Sequence, residues 1–173
     1  MILAIDPSNK EHTAYVVIDS NNYKPIKFGM CDSEAMLNVL DNCFNDTELE
    51  DVVIEMVASY GLPVGKDVFE TCVFIGRMIE HCKKYSFVYR KDVKLNLCGR
   101  TQKVNDPVIR QALINRFANF DFKNGKGTKK QQDFFYGFSK DVWAAYAVGI
   151  TWLDKQQDSL NRMLEIAKKE LDK

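Results

Sequence analysis

The chain opens on an apolar run, Ile2 to Ile5, which is too short for a helix and predicts a buried strand. The run ends on Asp6, and Pro7 cannot continue a hydrogen-bonded ladder. Thr13 to Ile18 is a second β-rich run across a polar turn, so the pair predicts a hairpin. Lys24 to Met30 supplies a third antiparallel strand, entered through an Asn21-Asn22 turn. The period then lengthens. Ser33 predicts an N-cap for a short helix from Glu34 to Leu40, with Met36, Leu37 and Leu40 on one side. Beyond an acidic connection, Asn42 to Glu50, the run Asp51 to Glu55 has three consecutive β-preferring residues. That is the pattern of a parallel strand covered on both faces, and it ends on Glu55.

Gly61, Pro63 and Gly65 make Met56 to Lys66 a turn-rich loop. A helix is predicted from about Asp67 to Lys84, its apolar stripe formed by Val68, Cys72, Ile75, Met78, Ile79 and Cys82. Tyr85 to Tyr89 reads as a strand, and strand, helix and strand make one βαβ crossover. Arg90 to Cys98 predicts a turn or two of helix closed by Gly99. Asp106 as N-cap and Pro107 in the first turn start another helix, running to about Phe117 with Val108, Ala112, Leu113 and Phe117 inward. Asn119 to Phe138 is irregular, with lysines among glycines and then three aromatics, Phe134, Phe135 and Tyr136, which either stack on a ligand or pack beneath the last helix. Ser139 caps that helix, Lys140 to about Leu153, apolar enough to lie flat on a sheet. The tail, Gln156 to Leu171, has Leu160, Met163, Leu164, Ala167 and Leu171 at helical spacing, and either folds back or contacts another subunit.

With 173 residues, 46% hydrophobic and 28% charged, the chain has the size of one well-filled domain. No apolar run approaches the roughly 18 residues of a membrane helix, and no signal-peptide pattern precedes the first strand, so a cytoplasmic protein without a membrane partner is expected. Five cysteines without C-x-x-C spacing and only two histidines argue for reduced thiols and against a zinc site. The net charge is zero but unevenly spread. Met1 to Cys82 holds 5 basic and 14 acidic residues, whereas Lys83 to Lys140 holds 14 basic and 4 acidic. Such an asymmetry points to a polyanionic partner, DNA or RNA.

Three acids bear on the chemistry. Asp6 and Glu55 each end a buried strand, and Asp141 begins the last apolar helix. Two strands of one sheet can set Asp6 and Glu55 side by side, and a helix start docked there can aim Asp141 at the same spot. Three carboxylates in one place disfavour mutual ionisation unless a cation neutralises them. Mg²⁺ suits such oxygen ligands because it accepts few carboxylates and keeps waters for a substrate phosphate. Two such ions about 4 Å apart can activate a water and stabilise the leaving oxygen in phosphodiester hydrolysis.

These segments, ILAIDPS with TAYVVID, then DVVIE, DVKLNLCGRTQK and KDVWAAYAVGITW, resemble the RuvC family of Holliday-junction resolvases, and the compact form is similar to RuvC-like proteins of phages. The resemblance runs in order to about Trp152. It implies an α/β, ribonuclease H-like fold: a five-stranded mixed sheet, three antiparallel strands and then parallel additions, flanked by helices. One nuclease domain would span 1–173, with 154–173 as a C-terminal helical tail. The implied activity is Mg²⁺-dependent cutting of four-way DNA junctions by a homodimer, with two ions and Mn²⁺ as a substitute. By position, Asp6, Glu55 and Asp141 match metal-binding acids of the family. The family usually carries two acids three residues apart on the last helix, and neither Phe138 nor Ala144 is acidic. Either three carboxylates suffice or Asp133 swings in. Lys94, and less securely Lys103, match basic residues near the active site, with Arg100 beside them as a DNA contact. Tyr60 is the candidate for an aromatic that stacks on a base at the junction centre, and Lys126, Lys129 and Lys130 would hold duplex arms through phosphates.

Three rivals remain. A flap or fork nuclease would share the active site, and a junction-binding protein that no longer cuts would lack the fourth acid. An actin-like phosphotransferase would need a glycine-rich phosphate loop and a second domain, neither of which the chain offers, so no nucleotide cofactor is expected.

Overall fold

The computed structural model of the chain describes residues 1–8, 12–43, 48–59, 61 and 63–171, with Cys43 and Leu171 described by backbone alone. Tyr60, the candidate stacking residue, lies outside the described residues. Five strands form one mixed sheet: β1 (Ile2–Asp6), β2 (Thr13–Ile18), β3 (Pro25–Cys31), β4 (Asp51–Met56) and β5 (Tyr85–Tyr89). Their spatial order is β3-β2-β1-β4-β5. The β1–β2 and β2–β3 pairs are antiparallel, and β1–β4 and β4–β5 are parallel. A three-stranded meander followed by crossover strands is the order in which the apolar runs and turn residues occur along the chain. Among the described residues five helices complete the fold: α1 (Ser33–Cys43), α2 (Lys66–Glu80), α3 (Arg90–Cys98), α4 (Asp106–Phe117) and α5 (Val142–Leu171).

The pleat divides the core in two, since alternate residues of a strand point to opposite faces. Leu3, Ile5, Val52 and Ile54 pack against Met36, Leu37 and Leu40 of α1 and Phe74, Ile75 and Met78 of α2. Ile2, Ala4, Val16, Ile18, Val53 and Val88 turn the other way, against α3, α4 and the first half of α5. On that face Phe135, Phe138, Trp143 and Tyr146 form an aromatic cluster of edge-on and tilted rings, so Phe135 packs beneath the last helix. Tyr136 stays exposed.

Helix α5 lies close on the sheet because residue 149 is glycine. A Cβ there would stand 2.4 Å from Ile18 Cδ1 and 2.8 Å from Ala4 Cβ, distances real atoms do not tolerate. At the far side Asp154 ties three helices together, accepting hydrogen bonds from Arg116 (2.7 and 2.8 Å) on α4 and from Asn96 (2.7 Å) on α3.

Several local expectations shift. The α1 cap is Asp32, whose carboxylate accepts from the Ala35 N–H at 2.8 Å, rather than Ser33. Asn105, rather than Asp106, caps α4 through the Val108 N–H. The buried side of α2 is Thr71, Phe74, Ile75 and Met78, and α4 buries Ile109, Leu113 and Ile114. The tail is no separate element: α5 continues unbroken for 30 residues, about 45 Å at 1.5 Å per residue, and residues 155–170 are exposed. It does not fold back onto the domain.

Candidate active site

Register and pleat bring the first two acids together. Strand β1 runs parallel to β4 with Ile5 beside Ile54, so Asp6 and Glu55 are the next neighbours along the two strands. Both have the parity of Ala4 and Val53, which face α5. Asp141 stands immediately before α5, where its carbonyl accepts from the Ala145 N–H at 3.0 Å. The three acids line one open cleft of about 370 Å³ at the carboxyl edge of the sheet, with Pro7, Val57, Ala58, Val68 and Ala144 among its walls.

Two further charged residues, to which the sequence pattern alone does not point, line this cleft. Glu55 pairs with Val88 across β4–β5, and Arg90 follows two residues later on the same face, as the first residue of α3. Three adjacent strands thus each deliver a charge at their carboxyl ends: Asp6, Glu55 and Arg90. That shared position after an apolar run was the signal available for Arg90. Its guanidinium lies 3.9 Å from Glu55 and is hydrogen-bonded to Asp106, at the start of α4. Asp106 reads locally as a helix start, which hid its second role as a fourth carboxylate at the cleft.

The electrostatics follow from this crowding. Burial raises the Asp6 pKa to about 8, with the Glu55 and Asp141 charges adding to the effect and Arg90 opposing it. Burial also raises the Glu55 carboxyl, against the pull of Arg90 and with a push from Asp106. Among the described residues no group of three or more His, Cys, Asp or Glu closes on one point as a ready metal site. The carboxylates line a common cleft while standing apart, as mutual repulsion demands. As a donor set they suit a hard divalent cation: every ligand atom offered is a carboxylate oxygen, and a cation would relieve the load on Asp6. Asp6, Glu55 and Asp141 are the residues that would hold it.

The remaining candidates lie outside the cleft lining. Lys94 is half-buried on α3, one turn after Arg90, and Arg100 and Lys103 are exposed beyond that helix. Lys126, Lys129 and Lys130 sit in the loop before α5, the last two exposed. Asp133 is committed elsewhere. It is buried, and its two oxygens accept from the backbone N–H groups of Asn119, Phe120, Asp121 and Phe134 and from the Asn119 side chain. Burial pushes its carboxyl upward, but these hydrogen bonds outweigh burial and hold it well below the usual range. It organises the loop and does not line the cleft.

No protein-family model matches the sequence, and no curated protein matches it. Solved structures do. The structure described as T. thermophilus RuvC in complex with Holliday junction substrate superposes with a TM-score of 0.61 at 10% identity, covering 87% of this chain and 90% of that one. A second, described as Thermus thermophilus RuvC structure, gives 0.57 at 11% identity with the same coverage. The chain has the fold of RuvC. Within this RuvC-like fold, the position three residues after Asp141 is Ala144, a wall of the cleft, while Asp106 enters from α4 on the same side.

Proposed function

We propose that the protein is a structure-selective, metal-dependent endodeoxyribonuclease that resolves four-way DNA junctions by phosphodiester hydrolysis. The observation that carries this reading is the meeting of Asp6, Glu55 and Asp141 in one cleft of a RuvC-like fold. Mg²⁺ held there, with Mn²⁺ as a substitute, would activate a water and stabilise the leaving oxygen. Asp6 and Glu55 are fixed by the two central strands, so their spacing is set by the sheet rather than by a loop. Arg90 holds positive charge beside Glu55, where it can meet a phosphate oxygen and offset charge that builds as the phosphodiester is attacked. The basic middle of the chain, including Arg100, Lys103, Lys126, Lys129 and Lys130, supplies phosphate contacts, and Tyr60 stacks on a base at the junction centre. A homodimer would make paired cuts, and the exposed apolar stripe of α5 (Leu160, Met163, Leu164) is the surface we assign to the contact between copies.

One observation favours a second reading, a junction-binding protein that does not cut. Arg90 is paired to Asp106 and lies beside Glu55, and the acids do not close on one point. The deciding experiment presents labelled four-way junctions, flaps, forks and linear duplex side by side with Mg²⁺, Mn²⁺ or EDTA. Symmetric nicks in the junction with either metal and none in EDTA support the resolvase. Equal cutting of flaps and forks makes it a broader branched-DNA nuclease, and tight binding without cutting in any metal selects the second reading.

A further inference from the structure

Beside the carboxylate cleft lies a second one of about 460 Å³, formed by the first turns of α4, the loop at Lys123 and Asn124, and the residues that open α5. The two clefts share Asp106 as a wall, and Lys140 of the second directly precedes Asp141 of the first. Three cations line it: Arg110, Lys123 and Lys140. Among the described residues none of the three is in an ion pair, and the one acid in the lining, Asp106, is already matched by Arg90. Three like charges gathered without a counter-charge repel one another, and an anion removes that cost.

Two details mark the cleft as more than a solvated surface. Lys140 has φ of 44°, the left-handed region that a residue with a side chain enters at a cost. Trp143 forms the floor, 93% buried by its 7% exposure, with the Arg110 guanidinium 4.6 Å above its ring. Its indole N–H is buried and has no hydrogen-bond acceptor, which is rare for such a group.

We infer that this cleft binds the phosphodiester of the attacked DNA strand next to the one being cut, with Arg110, Lys123 and Lys140 as its ligands. The inference rests on the nuclease reading for the identity of the strand. A chain crossing the Asp106 wall passes from the three cations to the three carboxylates, so the cleft would set the register of the strand without reading its sequence. Their order along the strand follows from the shared wall. The loop lysines Lys129 and Lys130, which lie outside this cleft, would then matter less for the attacked strand.

The test is equilibrium binding of a labelled four-way junction in EDTA, followed across salt concentrations. The triple variant Arg110→Gln, Lys123→Gln, Lys140→Gln is compared with a control that loses the same charge on the tail, Arg162→Gln, Lys168→Gln, Lys169→Gln. The cleft variant should bind about tenfold more weakly, with the slope of log affinity against log salt smaller by about 1, as for one phosphate, while the tail variant keeps the wild-type slope. Arg110→Lys alone should retain the slope, which separates lost charge from lost packing on Trp143. Equal slopes for the cleft and tail variants would overturn the inference and leave the nuclease reading standing. Absence of any wild-type junction binding would overturn both. Competition by inorganic phosphate as effective as unlabelled junction, at equal ionic strength, would reassign the cleft to a small anion and also overturn the inference.

Discussion

Asp6 carries a heavy electrostatic load, and the sign of its effect on stability is definite. Its folded pKa, about 8, stands above its ordinary 3.8, so the folded state holds the proton more tightly than the unfolded chain does. That contribution is full below about pH 4 and is lost as pH rises toward 8. Asp6→Asn should therefore stabilise the fold in EDTA at pH 8, by about 1–3 kcal/mol in urea unfolding after allowing for the open cleft, and by less at pH 5. Equal effects at both pH values would show that Asp6 bears no such load. Asp154 stabilises through hydrogen bonds. It accepts a bidentate pair from Arg116 and a third bond from Asn96, and Asp154→Ala should cost about 1–2 kcal/mol in urea unfolding. No change on that substitution would mean that packing alone joins α3, α4 and α5. Asp6, Glu55 and Asp141 were legible in the sequence because each interrupts an apolar run at its end, where a core residue would be expected. Arg90 and Asp106 were not, because each has a sufficient local explanation, a helix residue and a helix start, and only tertiary register puts them in the cleft.

At the scale of elements, the strands were legible nearly to the residue, because a short β-rich run bounded by turn or charged residues admits few other structures. Helix faces were harder. On α2 the apolar Phe69 and Val73 are 61% and 67% exposed, so hydrophobicity surrounds much of the helix and the buried side is chosen by the sheet beneath. The loop before α5 was illegible for a related reason: Asp133 is held by backbone N–H groups more than ten residues away, which exist as a cluster only once the loop has closed. Its closing turn uses Gly127 at φ 66°, where a Cβ would lie 2.3 Å from the Gln131 carbonyl oxygen. The contact between α5 and the sheet is equally narrow. Gly149→Ala should lift the helix from Ile18 and Ala4 and destabilise by about 1–3 kcal/mol, even though alanine favours a helix. A neutral or stabilising result in the same unfolding measurement would show that the interface can repack at no cost.

The whole molecule combines a sheet edge that gathers acids, a basic middle segment and a helix that runs on into solvent. The exposed stripe on that helix, with Leu160, Met163 and Leu164 between 50% and 67% exposed, is the surface that the proposed homodimer would use. Leu160→Glu with Leu164→Glu should shift the protein to a monomer in sedimentation equilibrium at micromolar concentration, and an unchanged mass would remove the tail from any dimer contact. Binding to DNA should weaken steeply with salt, as the charge of the middle segment requires. Above all, the carboxyl groups of Asp6, Glu55 and Asp141 must act as one site although they lie far apart along the chain. The rate of Mg²⁺-dependent cleavage of a labelled four-way junction by Asp6→Asn, Glu55→Gln and Asp141→Asn tests this most directly. Each variant should lose cleavage by a factor of about 100 or more while binding the junction as the wild type does, and wild-type cleavage by any one of them would contradict a shared site.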